Sequence, residues 1–82
     1  EEARFVFVYG VALHDTGQAP AARRVLADAA RRHPGDPSIL DALVSYSLEA
    51  GDRAAARHWA ERLATALPGD ADVARRLEDL RR

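Results

Sequence analysis

The chain of 82 residues has no cysteine, and it also lacks lysine, asparagine and methionine. Without cysteine, disulfide bonds, thiolate metal ligands and thiol catalysis are all excluded. All twelve basic residues are arginine, and thirteen acidic residues bring the formal net charge to -1. A dedicated nucleic-acid-binding domain usually carries a strongly basic surface, which this charge balance does not support.

Long apolar segments and bulky side chains are also scarce. The longest apolar run, 5–13, has nine residues, whereas a membrane-spanning helix needs roughly 20. We therefore expect a soluble protein, and the compartment stays open. Because the chain opens on Glu1 without methionine or a signal-peptide pattern, we interpret it as an excised segment or a processed chain. Eighteen alanines stand against 21 bulky apolar residues, which predicts a core built on close helix contacts.

The sequence repeats itself at an offset of 34 residues. Comparing 3–36 with 37–70 gives eight identities, which fall at turn residues, small residues and one arginine. A fixed period of this length is typical of stacked helical hairpins. The identical pairs are Gly17 and Gly51, Ala21 and Ala55, Ala22 and Ala56, Arg23 and Arg57, Ala30 and Ala64, Pro34 and Pro68, Gly35 and Gly69, and Asp36 and Asp70.

Apolar spacing, with glycine and proline at the breaks, predicts two helices in each copy and one more at the end. The predicted ranges are 3–15, 19–32, 37–50, 53–66 and 71–81. One segment, 5–9, is rich in β-branched and aromatic residues and on propensity alone favours a strand. A lone strand among helices would have no partner, so we predict a helix there and an all-α fold.

These residues resemble the tetratricopeptide repeat family. The resemblance implies one domain over 1–82, with repeat one at 3–36, repeat two at 37–70 and a capping helix at 71–82, in a right-handed superhelical array. Val44, Ser47 and Ala60 depart from the family's usual glycine, aromatic and large residue, and we expect Trp59 to fill part of the space at Ala60. The motif positions are Val6, Tyr9, Gly10, Leu13, Ala22, Leu26 and Pro34, then Leu40, Leu43, Val44, Ser47, Ala56, Ala60 and Pro68.

The resemblance also implies a groove, lined by the first helix of each repeat, that binds a partner peptide or helix. One subclass of the family grips a carboxylate with lysine, asparagine and arginine; this chain has neither lysine nor asparagine, so we expect a partner with apolar anchors and a basic residue instead. The implied groove residues are Arg4, Phe7, Val8, Val11, His14, Asp15, Ser38, Asp41, Ala42, Ser45, Leu48 and Glu49.

Catalytic and metal-binding patterns are missing. The histidines, His14, His33 and His58, are too far apart in sequence for a pair on one helix. No serine sits in a nucleophile elbow, and no glycine-rich phosphate loop occurs. We therefore expect neither an enzyme nor a cofactor. We single out His14, because with Asp15 it can face the groove.

Two other functions remain open. The chain could be a structural C-terminal cap of a larger repeat protein, with no ligand of its own. It could also be an RNA-binding helical repeat, provided that its arginine pairs form one continuous face without carboxylates. We expect carboxylates on the same helices to neutralise most of them, Asp28 with Arg24 and Arg32, Asp79 with Arg75, and Glu78 with Arg82. The pairs are Arg23-Arg24, Arg31-Arg32, Arg75-Arg76 and Arg81-Arg82.

The packing predictions concern the two ends and the small residues. Apolar residues surround the first helix on nearly every side, so we expect its far side to be covered either by a preceding repeat of a longer parent array or by self-association. For this chain alone we predict a homodimer, with or without exchanged helices, centred on Phe5, Phe7, Val8 and Tyr9. We expect Ala22 and Ala56 at the closest helix contacts. In the last helix we expect Val73, Leu77 and Leu80 to point inward, with Arg75, Arg76, Asp79 and Arg82 in water.

Overall fold

The computed structural model describes all 82 residues, as five α-helices without a β-strand. The predicted all-α fold is confirmed, and every helix boundary lies within one residue of its predicted place. The first helix includes 5–9, because packing against a neighbouring helix outweighs the β-propensity of that segment. The helices are α1 (Glu2–Asp15), α2 (Ala19–Arg32), α3 (Pro37–Glu49), α4 (Arg53–Ala66) and α5 (Ala71–Leu80).

Local chemistry sets the helix ends. Three aspartates cap helices, each accepting a hydrogen bond from a backbone N–H three residues on, at 3.0–3.1 Å. Gly17 and Gly51 end α1 and α3 with positive φ angles of 85° and 77°, a conformation that L residues with side chains rarely adopt. The capping aspartates are Asp36 on α3, Asp52 on α4 and Asp70 on α5.

The helices form two antiparallel hairpins, α1 with α2 and α3 with α4, followed by α5. The first hairpin joins the second through α2 and α3, and α1 also lies beside α3, while α5 packs on α4. The shortest dimension of the molecule is 17 Å, close to two helix diameters of about 10 Å each. None of the five helices is both long enough and apolar enough to span a bilayer.

The core combines a few large side chains with many alanines. Ala22 and Ala56 are fully buried, together with Leu26, Leu40 and Leu43. Among the glycines, Gly10 is the one with no room for a side chain, because an added Cβ would lie only 2.6 Å from Leu26 Cδ2. Small residues therefore let the helices approach closely, as the alanine content predicts.

The terminal helix departs from prediction at one residue. Leu77 and Leu80 are buried, Val73 is half-buried, and Arg75 is exposed, as predicted. Arg76 is only partly exposed, because its long side chain crosses to α3 and donates hydrogen bonds to Asp41 and Ser45. Asp79 and Arg82 are exposed as predicted.

Ion pairs within helices also differ in part from prediction. Asp28 pairs with Arg32 as expected, but its second partner is Arg31 rather than Arg24. Arg75 pairs with Asp72, at 2.5 Å, rather than with Asp79. Both differences have one physical reason: helix side chains tilt toward the N-terminus, so an acid that precedes its arginine is better placed than one that follows it. Arg82 does not pair with Glu78, because α5 ends at Leu80 and Arg82 lies beyond its last turn.

Candidate functional site

Nine of the twelve predicted groove residues form three groups along α1 and α3. The first group surrounds a depression of ≈ 380 Å³ near the start of both helices. Phe7 and Val8 provide apolar surface, and the Arg4 guanidinium and the Ser38 hydroxyl lie at the same depression. Ala3 and Asp36 complete the lining.

The two charged groups at this depression, Arg4 and Asp36, do not form an ion pair with each other. No carboxylate lies within ion-pair distance of the Arg4 guanidinium. The one carboxylate in the lining, Asp36, accepts the backbone N–H of Ile39 at 3.1 Å and caps α3. The depression therefore combines apolar surface with a positive charge that has no ionic partner.

The second group lies midway along α3 and is held by α5. Arg76 donates to Asp41 Oδ1 at 2.6 Å and to the Ser45 hydroxyl at 2.9 Å. Sequence reasoning missed Arg76, although the 34-residue offset aligns it with the groove residues Val8 and Ala42. The same surface thus continues from α1 and α3 onto α5.

The third group joins the ends of α1 and α3 around His14. Its ring stacks on the Tyr46 ring, with centroids 3.9 Å apart and an angle of 2° between the planes. One ring nitrogen, Nε2, lies 2.6 Å from Glu49 Oε1, and the other, Nδ1, lies 3.3 Å from Asp15 Oδ1. Sequence reasoning selected His14 and Asp15 but not Tyr46, because contact across 32 positions depends on how the helices pack.

This arrangement favours the charged form of His14. Hydrogen bonds to Glu49 and then to Asp15 raise the pKa of His14 above its ordinary value, because only the imidazolium can donate from both nitrogens. The pKa of Tyr46 is also raised, chiefly by burial and further by the negative charges of Asp15 and Glu49. Two carboxylates, Asp15 and Glu49, therefore flank the His14 ring where α1 and α3 end.

Two of the remaining three predicted groove residues are less accessible to a partner. Ala42 is only 8% exposed and belongs to the core. Val11 is half-buried, whereas Leu48 is 39% exposed. The structure therefore brings most of the predicted set together as one strip along α1 and α3. It is apolar beside an unpaired arginine at its start, holds an ion pair midway, and carries two carboxylates at its end.

The other polar and aromatic residues singled out from the sequence form no metal-binding cluster. No group of three or more histidine, aspartate or glutamate side chains could hold a metal ion. His33 Nε2 lies 3.4 Å from Glu2 Oε1, while His58 packs edge-on against Trp59. The buried apolar side chains form two clusters, a larger one that contains Leu26 and Leu43 and a smaller one that contains Val44 and Leu77. Trp59 is half-buried and packs on both core clusters, with the Arg62 guanidinium 5.1 Å from its ring centroid.

The paired arginines do not form a face without carboxylates. Five of the eight contact an acidic side chain, namely Arg31, Arg32, Arg75, Arg76 and Arg81. A second depression, of ≈ 250 Å³, lies between the start of α4 and the end of α5. It is lined by four arginines and two apolar residues: Arg53, Arg57, Arg81 and Arg82, with Ala54 and Leu80.

Comparison with known proteins adds no assignment. No protein-family model matches the chain, and no curated protein matches its sequence. The similarity that remains is internal, between the two hairpins.

Proposed function

We propose that this chain is a non-catalytic protein-interaction module of the tetratricopeptide repeat type. Its binding surface is the strip along α1 and α3, and its ligand is a peptide or helix of a partner protein. The 34-residue repeat and the antiparallel hairpins support the architecture. The observation that carries the binding role is the ≈ 380 Å³ depression, where apolar surface lies beside the unpaired Arg4 guanidinium.

The strip favours a partner segment with charges of opposite sign at its two ends. The depression accepts an apolar anchor, and Arg4 offers hydrogen bonds to a carboxylate or a carbonyl oxygen nearby. At the other end, Asp15 and Glu49 favour a basic side chain. Arg4 and Asp15 are eleven helical positions apart, roughly 16 Å at about 1.5 Å per residue. An extended peptide covers that distance in about five residues.

A peptide-display selection tests this proposal. The intact chain is presented with a random peptide library, and enriched sequences should carry an apolar residue and a basic residue about five positions apart. Arg4→Glu should weaken binding of the enriched peptides by about tenfold or more, because it reverses the charge at the depression. Isothermal titration calorimetry measures the loss.

The matched control is Arg24→Glu, which reverses the charge of another exposed arginine on a different helix. It should leave peptide affinity unchanged, and circular dichroism should report the same helicity in both variants. If no peptide is enriched, the strip has no peptide ligand, and the chain acts as a structural cap of a larger repeat protein. Equal effects of the two variants would also contradict the proposal, because binding would then depend on overall charge.

The RNA-binding alternative has less support. Five of the eight paired arginines contact carboxylates, so they do not present an uninterrupted cationic face. The net charge of -1 gives no general attraction to a polyanion. An oligonucleotide included in the calorimetry should therefore produce no heat beyond dilution.

A further inference from the structure

One side of α1 exposes large apolar residues to water. Phe5 is 73% exposed, Val8 58% and Tyr9 57%, and Ala12 on the same side is also exposed. We call these four residues the outer face of α1. The only other large apolar residue that is exposed is Leu48 on α3.

The internal repeat shows what normally covers this face. At the 34-residue offset the outer face corresponds to four residues of α3, all of them buried. They belong to the core cluster that also contains Leu26, Ala29 and Ala30 of α2. The corresponding residues on α3 are Ile39, Ala42, Leu43 and Tyr46.

The third copy of the face, on α5, behaves in the same way. Leu77 and Leu80 correspond to Tyr9 and Ala12, and both are buried in the cluster that contains residues of α3 and α4. Two of three equivalent faces in this molecule are thus covered by packed helices, and only the face on α1 is open.

Covering the outer face costs little in polar desolvation. No charged side chain occurs from Phe5 to Leu13, so contact there would bury no ionised group on that face. Phe5 and Tyr9 are one helical turn apart, and each aromatic side chain can bury on the order of 150–250 Å². The face is therefore suited to contact with another apolar surface.

We propose that the outer face of α1 binds the same face of a second copy of this chain. In a two-fold symmetric, antiparallel contact of two α1 helices, Phe5 of each copy lies against Tyr9 of the other, so the surface is complementary to itself. No other exposed surface of the chain offers an apolar match of this size. The exposed side of α5 carries Arg75, Glu78 and Asp79, which excludes an apolar head-to-tail contact.

The size of the surface determines the strength of the dimer. Four aromatic rings bury on the order of 600–1,000 Å² in total, below the roughly 1,200 Å² at which stable interfaces begin. The dimer is therefore weak and reversible, with a dissociation constant in the micromolar range or above. Phe7 belongs to the predicted self-association set, but it packs on the core of its own chain, so the contact is centred on Phe5 and Tyr9.

Sedimentation velocity of the intact chain, from about 1 µM to about 1 mM, tests the proposal across the expected range. The natural chain should pass from monomer to dimer. The double variant Phe5→Glu/Tyr9→Glu should weaken association by tenfold or more, because the dimer would bring four carboxylates together. Leu48→Glu is the matched control: it changes the other exposed apolar residue and should dimerise like the natural chain. Circular dichroism checks that all three fold.

Cross-linking tests the geometry separately. Because the chain has no cysteine, a Val8→Cys variant carries a single thiol close to the proposed two-fold axis, and oxidation should give a disulfide-linked dimer. Arg24→Cys on α2 should give none at the same concentration.

A monomer throughout the concentration range, an oligomer larger than two, or association that survives Phe5→Glu/Tyr9→Glu would each overturn the proposal. Val8 belongs to both the outer face and the depression, so each proposal is tested with variants that lie on one surface only: Phe5→Glu/Tyr9→Glu for the dimer and Arg4→Glu for peptide binding.

Discussion

At one equivalent contact between their two helices, the two hairpins place the small and the large side chain on opposite helices. In the first, Gly10 on α1 faces Leu26 on α2, and a Cβ at Gly10 would collide with that leucine. At the 34-residue offset their counterparts are Val44 and Ala60, which lie buried in one core cluster. The large residue has moved from the second helix of the hairpin to the first.

At this one contact the two hairpins preserve combined side-chain volume rather than residue identity. Helix pairs approach closely when one side of the contact is small, and either helix can supply the small residue. Val44 and Ala60 depart from the family pattern when each is taken alone, but together they fill the contact. Trp59, which we predicted to fill space beside Ala60, is half-buried and packs on both core clusters.

The largest expected effect comes from transferring the second hairpin's pair into the first. Leu26→Ala alone should cost about 2–5 kcal/mol by leaving a cavity, and Gly10→Val alone should destabilise by overpacking. The double variant Gly10→Val/Leu26→Ala should be more stable than the sum of the two losses predicts, by about 0.5–3 kcal/mol. Urea denaturation measures all three. Strictly additive losses would mean that the two hairpins do not share this contact.

The alanines that the hairpins have in common should respond alike. Ala22 and Ala56 are both fully buried, so Ala22→Leu and Ala56→Leu should each cost roughly 1–3 kcal/mol by overpacking. Ala54→Leu on the exposed side of α4 is the control and should change stability little. If a leucine variant at either buried alanine had the same melting temperature as the unsubstituted chain, the hairpins would pack differently at that position.

A smaller effect is expected where α5 contacts the second hairpin. Arg76→Ala removes the contacts with Asp41 and Ser45, and because these groups are partly exposed the loss should be about 0.5–1 kcal/mol. Arg75→Ala, which removes a more exposed arginine paired within its own helix, should cost less. If both variants lose the same stability in thermal melts, the Arg76 contact contributes nothing specific.

The smallest expected effect is a pH dependence at the junction of the hairpins. Because the pKa of His14 is raised in the folded chain, its charged form stabilises the fold. That contribution is complete below the ordinary histidine pKa of about 6.5 and is lost as pH rises through the raised pKa. His14→Leu introduces the residue found at the equivalent position, Leu48, and should remove this part of the pH dependence. The control variant His58→Leu should retain this part of the pH dependence. Denaturation midpoints measured at several pH values distinguish the two variants.

The sequence was sufficient for features that depend on neighbouring residues. The aspartate caps, the glycines of positive φ and the apolar spacing act within a few positions of one another, so all five helices could be placed. The resemblance to the tetratricopeptide repeats selected the strip on α1 and α3, and its spacing fits one face of each helix because residues three or four positions apart share a face. It could not determine that Ala42 is buried, since that depends on the neighbouring helix.

The sequence by itself therefore determined the helices, their order and the inward-facing stripes, because hydrogen bonding, capping and helical periodicity are local. Only the tertiary structure decided which distant side chains meet. Arg76 reaches Asp41 across 35 positions, His14 stacks on Tyr46, and Phe7 lies on the core while Phe5 remains in water. The physical reason is that the distance and rotation between packed helices follow from the volumes at their contacts, such as Gly10 against Leu26. A small change in the distance or the rotation between two packed helices would bring different side chains together.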